Sequence, residues 1–203
     1  MLKTIYLLRH GQTLWNDQWR LQGQKDIDLS PKGMLQAKRA AESLIKVDFD
    51  SIYCSDLSRA VKTAEIVAEG RENEVIRTEK LREVSFGSWE GKNLQEITGQ
   101  EREYYKSWLR DPVNYPVPGG ESMVDVKNRV INFLDTVLVK KDEKILLVSH
   151  GGPIKIIIAK ALHMNLSHLS SLVISPVSLS ILQYYEKQPY VILFNDTCHL
   201  KGL

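Results

Sequence analysis

The sequence predicts an α/β fold: a three-layer α/β/α arrangement with a mostly parallel sheet and a helical insertion capping the carboxyl ends of its strands. Two observations predict it. Short β-type apolar runs alternate along the chain with stretches whose apolar residues follow helical spacing. One segment, 86–121, breaks that alternation with clustered aromatics and then a Pro- and Gly-rich stretch. At 203 residues, 43% of them apolar, the chain is long enough for one well-packed domain, 1–203, with 86–121 as its cap.

The elements follow in order. Residues 3–8 form a near-continuous apolar run, as expected of a strand buried on both faces. Ser30 and Pro31 mark a helix start, as N-cap and first helical residue, and Leu35, Ala37, Ala40, Ala41, Leu44 and Ile45 continue it with helical spacing. A second strand is expected at 51–54, a helix at 57–69 and an edge strand at 75–78. Ser122 to Asp125 resembles a capping start for a helix over 126–139. Residues 144–149 read as a buried strand, then a Gly151-Gly152-Pro153 turn and an apolar helix over 154–162. Two last strands, 178–184 and 190–194, are separated by a Lys-Gln-Pro turn. They offer an edge for a homodimer, and equally a face covered within one chain.

Charge narrows the function classes. With 27 basic and 25 acidic side chains the net charge is +2, which does not suggest nucleic-acid wrapping or attachment to an anionic membrane. Lys155 and Lys160 interrupt the apolar run 154–162, so it does not read as a membrane span. The amino-terminal run lacks the features of a signal peptide, and a cytoplasmic protein is expected. Cys54 and Cys198 are expected as free thiols, with a disulfide between them as the alternative, and no zinc-type Cys/His spacing occurs.

Two strand ends carry the chemistry. Residues 3–8 run into Arg9-His10-Gly11, and 144–148 run into Ser149-His150-Gly151. Parallel strands direct their carboxyl ends to one side of the sheet, where ligands bind, so both histidines can meet in one pocket. Arg59, just beyond the strand at 51–54, is directed to the same end. Two arginines and two imidazoles around one point repel one another, which implies an anionic partner. The arginine fork suits phosphate oxygens, and a helix amino terminus adds another anion-favouring element. Residue types alone leave other readings standing. A histidine at a strand end is commonly structural, and Arg59 by itself reads as a solvated helix residue. A metal would be opposed by Arg9.

The motifs also carry a resemblance. Leu8-Arg9-His10-Gly11-Gln12-Thr13-Leu14-Trp15-Asn16 is similar to the signature of the histidine phosphatase superfamily, which includes cofactor-dependent phosphoglycerate mutases. The similarity continues through Leu21-Gln22-Gly23, Cys54-Ser55-Asp56-Leu57-Ser58-Arg59-Ala60, Leu81-Arg82-Glu83, Phe86-Gly87-Ser88-Trp89-Glu90-Gly91, Pro118-Gly119-Gly120-Glu121-Ser122 and Val148-Ser149-His150-Gly151-Gly152. It implies His10 as nucleophile and Arg9, Arg59 and His150 as phosphoryl-binding groups, with Glu83 as proton donor. Asn16, Gln22, Gly23 and Gly151 would complete the substrate-binding shell. Without it, Glu83 does not stand out from Glu79 or Glu90. Gln12 departs from the glutamate usual after Arg-His-Gly.

The resemblance implies hydrolysis of a small phosphorylated metabolite with no metal or other cofactor. Phosphoglycerate mutase activity, or phosphate-ligand binding without turnover, are the alternatives. The chain looks closest to small bacterial phosphatases such as α-ribazole-5'-phosphate phosphatase. Phosphoserine phosphatases of this type can carry a histidine near Phe86 that is absent here. Trp89, Tyr104, Tyr105, Trp108 and Tyr115 are candidates to line a pocket for an aromatic substrate, and equally to pack the insertion's own core.

Overall fold

The computed structural model describes residues 2–203. Strand β1 (Leu2–Arg9) leads through Thr13 into a single-turn helix, α1 (Leu14–Asp17). Helix α2 (Pro31–Leu44) starts at Ser30, whose hydroxyl accepts from the Gly33 amide at 3.1 Å. Strand β2 (Ser51–Ser55), helix α3 (Ser58–Ala68) and strand β3 (Val75–Thr78) follow. The insertion contributes helix α4 (Gly99–Arg110), and helix α5 (Met123–Leu138) is capped by Ser122. Strand β4 (Lys144–Ser149), helix α6 (Gly151–Ala161) and the hairpin of β5 (Leu179–Tyr185) and β6 (Gln188–Asp196) complete the chain.

One six-stranded sheet runs in the order β3-β2-β4-β1-β5-β6. The first four strands are parallel, with Leu8 opposite Val148 and Cys54 opposite Val148 on the other side. Strand β5 is antiparallel both to β1 and to β6. Alternation along the central strands sends Ile5, Leu7, Ile145 and Leu147 into a core with α5, α6 and the insertion. It sends Leu8, Ile52, Leu146 and Val148 into a second core with α2 and α3. Both faces are therefore covered, which is why these strands read as continuous apolar runs.

Three local expectations are corrected. The β5–β6 hairpin turns at Glu186 and Lys187, with Glu186 at φ 58°, and Gln188 and Pro189 already belong to β6. Proline is tolerated there because β6 is the sheet edge. Gly151-Gly152-Pro153 is the first turn of α6, not a turn before it. Pro153 is accommodated because amides in a helix's first turn have no intrahelical acceptor. Helix α1 was not expected: four residues carry no periodicity, and only the reciprocal Thr13–Asn16 capping pair marks it. Cys54 and Cys198 are free thiols, as expected.

The insertion's aromatics pack mainly on each other. Trp89 is fully buried and meets Tyr105 and Trp108 edge-on, with ring centroids 5.2 and 5.8 Å away, and Tyr104 meets Tyr115 at 5.8 Å.

Candidate active site

The three parallel strands that carry chemistry end within one region. Arg9, His10, Asn16, Gln22, Gly23, Arg59 and Glu83 line a single cavity of about 130 Å³. His150 stands against it, its ring centroid 5.0 Å from that of His10. Gly151 lines an adjoining cavity of about 350 Å³, which shares Arg9, Glu83 and Phe86 with the first. All nine sequence-predicted residues therefore converge.

Each side chain is held in a defined state. His10 Nδ1 is 2.7 Å from the Gly11 carbonyl, which can only accept, so Nδ1 carries the proton and Nε2 the lone pair. The His10 amide donates to the Ser149 carbonyl at 2.9 Å, tying the two His-Gly strand ends together. The Gly11 amide donates to Thr63 Oγ1, which in turn donates to the Arg59 carbonyl, so β1 and α3 are locked in register at the pocket.

Arg59 is fully enclosed and directs its fork by three bonds. Nη1 donates to the Lys25 carbonyl at 2.8 Å, Nη2 to the Gly23 carbonyl at 2.7 Å, and Nε to His150 Nδ1 at 3.3 Å. That last bond makes Nδ1 of His150 the acceptor and places its proton on Nε2, a buried donor with no protein partner. Arg9 donates from Nη1 to the Ile174 carbonyl, and its Nε is likewise buried without an acceptor. Two enclosed donors without acceptors, flanking an imidazole lone pair, suit an anion with several oxygens. Asn16 Oδ1 accepts from the Thr13 amide and hydroxyl, which leaves its NH₂ as the free end of the side chain.

Glu83 lines the same cavity. Its Oε1 accepts from the Gly152 amide at the start of α6 and from the Val84 amide, both at 3.0 Å. A Cβ at residue 152 would clash with Oε1 and lie 2.8 Å from Val84 Cγ2, so glycine is what allows the carboxylate to sit there. The segment behind Glu83 is fixed by residues that sequence reasoning missed. Arg129 donates to the Glu83 carbonyl at 2.9 Å and pairs twice with Glu121, which also accepts from the Ser85 amide and Gln24 Nε2. An arginine within the polar stripe of a helix offers no local signal of such a role.

The electrostatics favour neutral imidazoles. His10 is held well below the usual histidine range, first by burial and then by the Arg59 and Arg9 guanidiniums, against the opposing bond to Gly11. His150 is lowered likewise, by burial and then Arg59, His10 and Arg9. Burial also pulls Arg59 down to about 10, which leaves it cationic at neutral pH.

A stability prediction follows from these shifts. Both folded-state values lie below those of unfolded histidine, so the unfolded chain binds more protons as pH falls through about 6.5. Stability from these two groups is unaffected above that pH. It is lost below it until the folded-state values are reached, at up to roughly 3 kcal/mol per pH unit for the pair. Urea unfolding between pH 7.5 and 5 should show this loss, and the double variant His10→Gln/His150→Gln should show less of it. An equal slope in both proteins would contradict the assignment.

Comparison with known proteins points to one family. A family model described as the histidine phosphatase superfamily, branch 1, matches residues 5–197. The chain is 34% identical over 201 residues to phosphoserine phosphatase 1 of Hydrogenobacter thermophilus, covering 98% of this chain and 95% of that one. The solved structure of Bacillus stearothermophilus YhfR superposes with a TM-score of 0.92 at 32% identity, covering 98% of this chain and 100% of that one. An Escherichia coli structure provisionally assigned as an α-ribazole-5'-P phosphatase superposes at 0.88 with 27% identity, covering 96% of each chain.

Proposed function

The chain belongs to the histidine phosphatase superfamily, branch 1, and from that premise we propose that it hydrolyses small-molecule phosphomonoesters through a phosphohistidine at His10. The observation that carries this reading is the state of His10: buried, neutral, its lone pair on Nε2, in a cavity lined also by Arg9, Arg59 and Glu83.

Nε2 attacks phosphorus and forms the N–P bond as the ester P–O bond breaks. Charge on the phosphoryl oxygens is met by Arg9, Arg59, His150 Nε2–H and the Asn16 amide, so catalysis is largely electrostatic positioning. Protonated Glu83 delivers its proton to the departing alkoxide. As carboxylate it then takes a proton from the water that attacks phosphorus, and the N–P bond breaks to release inorganic phosphate and neutral His10. The Nδ1–H bond to Gly11 persists throughout and keeps the ring oriented.

α-Ribazole-5'-phosphate, toward which the sequence leans, is supported by one structural neighbour at 27% identity. The phosphoserine phosphatase likeness rests on a higher identity over nearly the whole chain. Of the five aromatic candidates for substrate contact, Trp108 lines the cavity beside Glu83 and Tyr105 a separate one.

The test is phosphate release from a panel of α-ribazole phosphate, phosphoserine, sugar phosphates and an aryl phosphate, with 3-phosphoglycerate isomerisation assayed beside it. Net hydrolysis supports the reading. Isomerisation without hydrolysis would replace it with a mutase, and silence in both assays would point to a binding module.

Gly152 provides a separate check on Glu83. Gly152→Ala is expected to displace the carboxylate and lower kcat on alkyl phosphates by about 10²-fold, the scale of an ångström-level misplacement. The thermal unfolding temperature should fall modestly, because the overlap with buried Val84 outweighs alanine's better helix propensity. Wild-type kcat in this variant would remove Glu83 from the mechanism as drawn.

A further inference from the structure

Lys155 is a charged group that the mechanism leaves unused. It stands four residues after Gly151 on α6, on the helix face that meets Glu83, in a helix whose only other charged residue is Lys160. It is half-buried in the wall of the 350 Å³ cavity, which Arg9 and Glu83 also line, and among the described residues it makes no ion pair. Lys160 on the same helix, by contrast, pairs with Asp135 at 2.9 Å. Arg9 and Lys155 share this mostly apolar cavity with a single carboxylate, Glu83, so it carries an excess positive charge that favours an anionic ligand.

The cavity's place in the reaction identifies that ligand. Glu83, the proton donor of the proposed reaction, lines both this cavity and the phosphoryl cavity. The group it protonates is the ester oxygen, so the alcohol half of the substrate extends into the larger cavity. There the remaining walls are mostly apolar, including Phe86, Trp108, Leu172 and Ile174. Arg9 is assigned to the phosphoryl group, which leaves Lys155 as the cation for the alcohol half, and one monocation suits one monoanion; a second phosphate would need more donors than these walls offer.

We propose that Lys155 reads a carboxylate on the alcohol half of the substrate, making the preferred substrate a phosphomonoester with a compact apolar body that ends in one carboxylate. This rests on the phosphatase reading. At about 350 Å³ the cavity is at the small end of small-molecule sites, which keeps that body small. α-Ribazole phosphate carries no such carboxylate.

The test uses 4-carboxyphenyl phosphate and its near-isosteric neutral partner, 4-carbamoylphenyl phosphate. Wild-type kcat/KM should favour the carboxylate about tenfold, the scale of one charge-assisted bond. In Lys155→Met the ratio should fall to near one, in Lys155→Glu it should invert, and Lys155→Arg should restore it. Any effect of Lys155 on Glu83 touches both esters alike and cancels in the ratio. Wild-type hydrolysis without a charge preference, or a preference that survives in Lys155→Met, overturns the proposal while leaving the phosphatase reading intact. A stronger preference for 4-phosphonophenyl phosphate overturns the choice of a monoanion. Silence on all the esters removes the phosphatase reading itself and the proposal with it.

Discussion

Replacing His10 with alanine is expected to lower kcat/KM for every phosphomonoester by about 10⁴-fold or more, the scale on which loss of a covalent nucleophile acts. No neighbouring group can substitute. His150 has its Nδ1 lone pair occupied by Arg59 and presents a proton, not a lone pair, at Nε2. Arg9 and Arg59 are cations without nucleophilic character at neutral pH. The variant should still bind orthovanadate or inorganic phosphate, because the guanidiniums and the His150 donor remain. Rapid-quench labelling makes the assignment chemical: wild-type protein should carry an acid-labile, alkali-stable phosphoryl group during turnover, and His10→Ala should carry none. Residual activity within tenfold of wild type would remove His10 as the nucleophile.

The second large effect is expected for Glu83→Gln. Glutamine keeps a carbonyl oxygen for the Gly152 and Val84 amides, so the side chain stays anchored while losing its ability to transfer a proton. kcat/KM reports the steps up to formation of the phosphohistidine. For alkyl phosphates, whose alkoxide must be protonated as it leaves, it should fall by about 10²- to 10⁴-fold. For 4-nitrophenyl phosphate, whose phenolate leaves unaided, it should fall far less. Hydrolysis of the intermediate needs the carboxylate for either substrate, so the aryl ester should give a burst of nitrophenol followed by slow turnover. Equal loss of kcat/KM across both leaving groups would mean that Glu83 acts on phosphate binding instead.

The acid limb of activity should reflect the same electrostatics as the stability curve. The nucleophile is neutral His10, which burial and two guanidiniums hold well below the ordinary histidine range. The kcat/KM of wild-type protein should therefore persist to pH values at which a solvent-exposed histidine would already be protonated.

Most of the fold was legible because its determinants are local. The strand at 144–149, the Ser30-Pro31 helix start and the Ser122 cap rest on neighbouring residues and recur where expected. The errors fell at boundaries that context decides: the hairpin turn, the first turn of α6, and the four residues of α1. The convergence of His10, Arg59 and His150 was also legible, because each follows a parallel strand and parallel strands share one carboxyl edge.

By itself, then, the chain's local chemistry determined the elements, their caps and the edge at which the cationic residues gather. Only the tertiary structure separated Glu83 from its neighbours. Glu79 is exposed beside Arg82, and Glu90 is consumed by the Gln24 and Phe86 amides, whereas Glu83 reaches an amide 69 residues away across the pocket. It likewise decided the tautomers of both histidines, which of the aromatics reach a cavity, and that Lys155 makes no ion pair among the described residues. Each of these depends on which backbone donor, carbonyl or wall a side chain meets far along the chain, and no periodicity or capping pattern encodes such a meeting.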